Sequence, residues 1–134
     1  MGHEFGTAVL ITAVLFCLAT TWSAGATPER FAERLGLKVL NAGGINEIRA
    51  QYASVFLAIA AVCVASLMSM LPRQAAFVVL STVFGGLIVG RLTSLGLNRG
   101  IAGYGPTILS LYAIDAVGLL LSATAFALDV PGRG

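Results

Sequence analysis

The chain has 134 residues, of which 57% are hydrophobic and only 10% charged, with a net charge of +2 and a mean hydropathy of +0.92. Soluble domains carry about 25% charged residues, and eight basic and six acidic side chains cannot clothe a water-soluble core; lipid is the expected solvent. The positive charge is scattered, which leaves no footprint for nucleic acid. Cys17 and Cys63 stand alone in separate apolar segments, without the spacing of a redox dithiol or a zinc site, and read as small buried hydrophobes.

No side chain from Phe5 to Pro28 is charged. A hydrocarbon core about 30 Å thick takes roughly 20 helical residues to cross, so a first span is expected near 6–25. Its end, Ser23-Ala24-Gly25-Ala26, resembles a signal-peptide cleavage site. The basic segment that should precede such a site is missing, however, and Glu4 stands there instead. The segment reads as a retained span.

Thr27-Pro28-Glu29 has the signature of a helix start, with Thr as N-cap, Pro at the first position and an acid in the first turn. Phe31, Leu35 and Val39 then recur every four residues, while Arg30, Glu33, Arg34 and Lys38 fall elsewhere around the wheel. The spacing predicts an amphipathic helix over 28–40, lying in the membrane interface and ended by Gly43-Gly44. An ordinary solvated linker helix is the alternative.

A second span is expected over 47–71, a third over 75–97 interrupted only by Arg91, and a fourth over 106–128 interrupted only by Asp115. Leu71-Pro72-Arg73-Gln74 and a Gly-rich turn over 98–105 are the connections, with Pro72 and Pro106 placed to stop and start helices. Short connections force antiparallel neighbours. The expected architecture is therefore one all-α domain, a membrane four-helix up-down bundle. Arg30, Arg34, Lys38 and Arg99 outnumber Arg73 and Arg133 across the membrane, so the positive-inside rule puts the long connection in the cytoplasm and both termini outside.

Lipid gives helices no hydrophobic reason to associate; small residues that let backbones approach must supply it. Ala50, Ser54, Ala58, Ala61, Ala65 and Ser69 form such a stripe on the second span, and Thr82, Gly86, Gly90 and Ser94 on the third, with Gly85 beside it. Asp115, Gly118, Ser122 and Ala125 do so on the fourth. These stripes are expected to face the interior or another subunit, leaving the large apolar side chains for lipid; a narrow polar lumen is the other reading.

A charge within a span costs at least about 2.5–3.5 kcal/mol and calls for a partner. Four residues qualify: Glu47, Arg49, Arg91 and Asp115. At 1.5 Å per residue, Asp115 lies about 13 Å in from Pro106 and Arg91 about 10 Å in from Asn98, so the two can meet. Glu47, three residues before Ala50, is expected to face inward above them. Arg49 falls on another side of its helix, aligned with Tyr52, Phe56 and Cys63, and either joins the network through its long stem or snorkels to headgroups. Tyr112 shares the face of Asp115; it and Tyr52 either complete a pocket or belong to the aromatic belt. The network can fix helix register alone, hold a ligand with a polar head and an apolar body, or move protons or ions. No nucleophile with an adjacent base and no metal-ligand spacing supports catalysis.

Asn46-Glu47-Ile48-Arg49-Ala50-Gln51-Tyr52, then Gly90-Arg91 with Leu92 and Ser94, then an acid in the last span, resemble an uncharacterised bacterial family of small four-helix membrane proteins, a domain of unknown function grouped with the DoxX-like proteins. The similarity covers nearly the whole chain. Two departures stand out: Ala53-Ser54 replaces a frequent glycine pair, and Asp115 a commoner Glu. The first bears on how closely the helices approach there, and the second shortens the reach to Arg91. The resemblance implies the fold and a bacterial cytoplasmic-membrane location, with no established activity. It adds a possible quinone-linked or accessory role. The leading reading is a non-catalytic protein that binds a small amphiphile such as a lipid, or a quinone as the resemblance implies, or docks in a larger membrane complex or homo-oligomer. A small ion-coupled transporter and a lipid- or quinone-modifying enzyme are the alternatives.

Overall fold

The computed structural model describes residues 1–129, all of whose regular structure is helical. The helices are α1 (Gly2–Ala26), α2 (Pro28–Arg34), α3 (Ala42–Ile48), a π-helical turn (Arg49–Ser54), α4 (Val55–Leu67), α5 (Arg73–Leu97) and α6 (Pro106–Leu128). Since α3, the π turn and α4 run on without a break, four helical segments are long and apolar enough to cross a membrane: Gly2–Ala26, Ala42–Leu67, Arg73–Leu97 and Pro106–Leu128. Arg133 lies outside the described residues.

The amphipathic helix is shorter than its pattern predicts, because Gly36 rather than Gly43-Gly44 ends it. Gly36 takes a left-handed φ of +74°, and the Leu37 N–H turns back to the Ala32 carbonyl at 2.9 Å, closing the helix end as a glycine just past the last turn does. Thr27 marks the start of α2 without capping it through its side chain; its hydroxyl donates to the Ser23 carbonyl instead. Gly43 and Gly44 sit in the first turn of α3, where the Asn41 side chain accepts from the Gly44 N–H at 3.0 Å. The second span begins earlier than 47 for that reason. It ends at Leu67 rather than 71, with Ser69 left-handed at φ +60° and the Met70 N–H on the Ala65 carbonyl.

The described chain divides into two compact units, and α1 runs through both. The unit Leu10–Pro72 packs α1 antiparallel to the second span: Phe16 meets Phe56 edge-on with ring centroids 6.1 Å apart, the Thr21 hydroxyl donates to the Ala53 carbonyl, and Arg49 Nε donates to the Gly25 carbonyl. Ala24, Ala32, Ile48 and Ala53 form a buried cluster covered by Phe31, Val39 and Tyr52. Phe31 and Val39 of the 28–40 segment therefore pack on this core, while Leu37 and Leu40 stay exposed.

The other unit joins Met1–Val9 to Arg73 and the described residues after it. Here α5 and α6 are antiparallel: Gln74 bonds the Asp129 carbonyl, Ser81 bonds Ser122, and Arg91 bonds Asp115, partners falling in number along α6 as they rise along α5. Phe77, Leu80 and Phe84 are the buried side of α5. At one end, Arg73 Nη2 donates to the His3 carbonyl and to the Thr7 hydroxyl, both at 3.0 Å, while Nη1 lies 3.2 Å from both ring nitrogens of His3. Its Nε is 3.3 Å from Asp129 Oδ2, an ion pair by distance but not aligned as a hydrogen bond. This knot ties the starts of α1 and α5 to the end of α6.

Candidate functional site

The polar chemistry of the α5–α6 pair gathers near the end of α5. Arg91 Nε donates to Asp115 Oδ2 at 2.5 Å. The Asp115 side chain is 3% exposed, that of Arg91 20%. A carboxylate this deep needs its cation, and a charge-assisted bond of this kind is the strong form of a hydrogen bond. The guanidinium carries five N–H donors, and the carboxylate takes only the one at Nε. The Nη groups have no hydrogen-bond partner among the described residues, and they are not sealed from the outside either.

Two tyrosines flank this pair. Tyr112, one turn before Asp115 on α6, donates its hydroxyl to the Arg91 carbonyl at 2.9 Å, and the Arg91 guanidinium carbon stands 5.7 Å from the centre of its ring, within reach of a cation–π attraction. Tyr104, in the turn between the helices, lies 6.1 Å from Tyr112, the ring planes 33° apart. Asn98 Nδ2 donates to Ser94 Oγ at 3.3 Å, and that hydroxyl is 3.5 Å from Tyr104 Oη. Hydrogen bonding by Ser94 above all lowers the Tyr104 phenol from its ordinary value. Arg99, left-handed at φ +53°, and Gly100, whose N–H bonds the Leu95 carbonyl, end α5 and bring the turn back over Ser94. Tyr104, Ser94 and Asn98 are the members that sequence reasoning did not join to the cluster, because a turn's path is not written in helical periodicity.

Asn46, Glu47, Arg49 and Tyr52 belong to the Leu10–Pro72 unit. Glu47, expected to face inward, is exposed and has no ion pair among the described residues. The inward face there is that of Ile48, Ala53, Ile59, Ala60 and Cys63, so counting back from Ala50 led to the outer side. Arg49 is exposed and spends its Nε on the Gly25 carbonyl, near the α1 terminus, where helical acceptors lack partners. Tyr52 packs on Phe31 with centroids 5.0 Å apart, and Asn46 is exposed.

The small residues divide. On α6, Asp115, Ser122 and Ala125 are buried, and a Cβ at Gly118 would stand 2.8 Å from the Phe84 ring. On α5, by contrast, Thr82, Gly86, Gly90 and Ser94 are exposed, and nothing lies within 4 Å of a Cβ placed at Gly86 or Gly90. Ala50, Ser54, Ala58 and Ala61 are likewise exposed. These stripes do not line the chain's own interior; large side chains such as Phe77, Leu80 and Phe84 fill it instead. Among the described residues no group of three His, Cys, Asp or Glu could hold a metal ion.

Residues 6–109 match the model of a family described as a domain of unknown function, DUF4345. The matched segment includes Asn46–Tyr52 and Arg91 and stops short of Tyr112 and Asp115. Comparisons with curated proteins and with solved structures find no match.

Proposed function

The chain belongs to the DUF4345 family, and from that premise we propose that it is a non-catalytic multi-pass membrane protein whose α5–α6 pair holds the polar head of a small amphiphile at Arg91. One observation carries the reading: a guanidinium within a membrane span has its Nε committed to Asp115 while its Nη donors have no partner among the described residues. Unmet donors at that depth are costly, and a ligand head that accepts from them removes the cost. Gly86 and Gly90, four residues apart on α5, are exposed with nothing within 4 Å of an added Cβ, which leaves open surface for the apolar tail. The bacterial cytoplasmic membrane, with both termini outside, is the setting that fits the family resemblance and the charge distribution. The test is mass spectrometry of the amphiphiles that co-purify with the wild type and with an Arg91→Met, Asp115→Leu variant. A species retained by the first and missing from the second supports the reading; identical profiles refute it.

A second reading rests on the same exposed stripe. Thr82, Gly86, Gly90 and Ser94 offer the close backbone approach by which membrane helices associate, which suits a homo-oligomer or an accessory subunit of a larger membrane complex. Cross-linking in membranes between single cysteines placed at position 86 separates the two, since a surface covered by a ligand tail gives no product and a helix–helix contact does.

A further inference from the structure

The charge balance and donor set around Arg91 restrict what head it can take. We propose, on the premise that Arg91 is a head-binding site, that its ligand is an uncharged amphiphile with a carbonyl head, a quinone-like ring or a glyceride ester, and not an anionic phospholipid.

Arg91 and Asp115 already sum to zero, with Asp115 almost fully buried and bonded to Nε at 2.5 Å. An anionic head on the Nη donors sets a second negative charge beside that carboxylate with one cation between them, in a medium that screens poorly. A carbonyl oxygen brings acceptor lone pairs and no charge, and meets the Nη donors without disturbing the pair.

Among the described residues Asp115 pairs with Arg91 alone, and Arg99, at the end of α5, is exposed and forms no ion pair. Within the cluster, Tyr112 spends its hydroxyl proton on the Arg91 carbonyl, and the Asn98 amide is turned onto Ser94. What the cluster presents beside the guanidinium is aromatic surface, Tyr112 and Tyr104, 6.1 Å apart and 33° from parallel. Aromatic faces suit a flat or apolar-edged head more than a hydrated phosphate.

The experiment measures binding to purified full-length protein in nanodiscs of a diether phosphatidylcholine, which has no ester carbonyl, titrated separately with a short-tailed benzoquinone, diacylglycerol and a diether phosphatidylglycerol. The first two probes separate the possible sources of the carbonyl. Expected is binding of the quinone or the diacylglycerol at least about tenfold tighter than phosphatidylglycerol, since like charges brought together are strongly disfavoured. Asp115→Asn keeps an acceptor for Nε and removes the negative charge. It should reverse the order, giving phosphatidylglycerol the advantage. Wild type that takes phosphatidylglycerol as well as the neutral probes, or an Asp115→Asn variant with unchanged preference, overturns the neutral-head assignment while head binding at Arg91 stands. No binding of any probe by either protein overturns both. If Asp115→Asn does not fold, the wild-type order alone decides.

Discussion

The Cα of Gly118 on α6 lies against the ring of Phe84 on α5, so closely that an added Cβ would come within 2.8 Å of three ring carbons. Phe84 is buried and cannot swing clear into lipid. Gly118→Ala is therefore expected to destabilise the α5–α6 pair by about 1–3 kcal/mol, the usual cost of overpacking. Thermal unfolding in detergent should show it as a lower midpoint.

Gly90 has the opposite surroundings, with nothing within 4 Å of its missing Cβ. Gly90→Ala should leave the fold intact and, by removing a glycine from a helix interior, stabilise it by about 0.5–1 kcal/mol. A loss of stability like that of Gly118→Ala, measured in the same unfolding series, would show that another element covers the stripe.

Arg73 supports three helix ends at once through His3, Thr7 and Asp129. Arg73→Met leaves the Asp129 carboxylate and the His3 carbonyl without that partner. The expected result is faster hydrogen exchange at the amides of residues 5–9 and little change around residues 59–63. Uniform exchange across both segments would mean that the knot does not hold the start of α1.

Thr21→Val tests the π turn. The Thr21 hydroxyl donates to the Ala53 carbonyl at 3.0 Å, inside the stretch where the helix widens. Valine keeps the shape and loses the bond, at a cost of about 0.5–1.5 kcal/mol, readable by thermal unfolding against wild type.

The four helices long and apolar enough to cross a membrane were legible because charge is so sparse: uncharged runs between Glu4 and Glu29 and between Arg49 and Arg73 locate two of them directly. The Arg91–Asp115 ion pair follows from rise per residue and an antiparallel connection. What the pair is for does not follow, since the same two residues serve register or ligand equally. The facing of the small stripes was not legible either. Composition says that Gly86 and Gly118 are both small; only packing says that Phe84 stands over one and open space over the other. Glu47 does share a side with Ala50, but Ala50, Ser54, Ala58 and Ala61 are themselves exposed, so the acid goes outward with the stripe it was aligned to. A stop at Gly36 and a start at the Asn41 N-cap carried ordinary signals that the louder Gly43-Gly44 pair obscured.

The central claim is that Arg91 and Asp115 serve a ligand and not the fold alone, and the double substitution tests it most directly. Arg91→Met or Asp115→Leu alone strands a charge, at a cost of roughly 3–5 kcal/mol for a buried pair. The two together leave an apolar interior of similar volume and should recover much of that stability. The measurement is the unfolding midpoint of the double variant, taken with its content of co-purifying amphiphile. The account expects stability regained and the amphiphile lost; stability and amphiphile both at wild-type levels would contradict it.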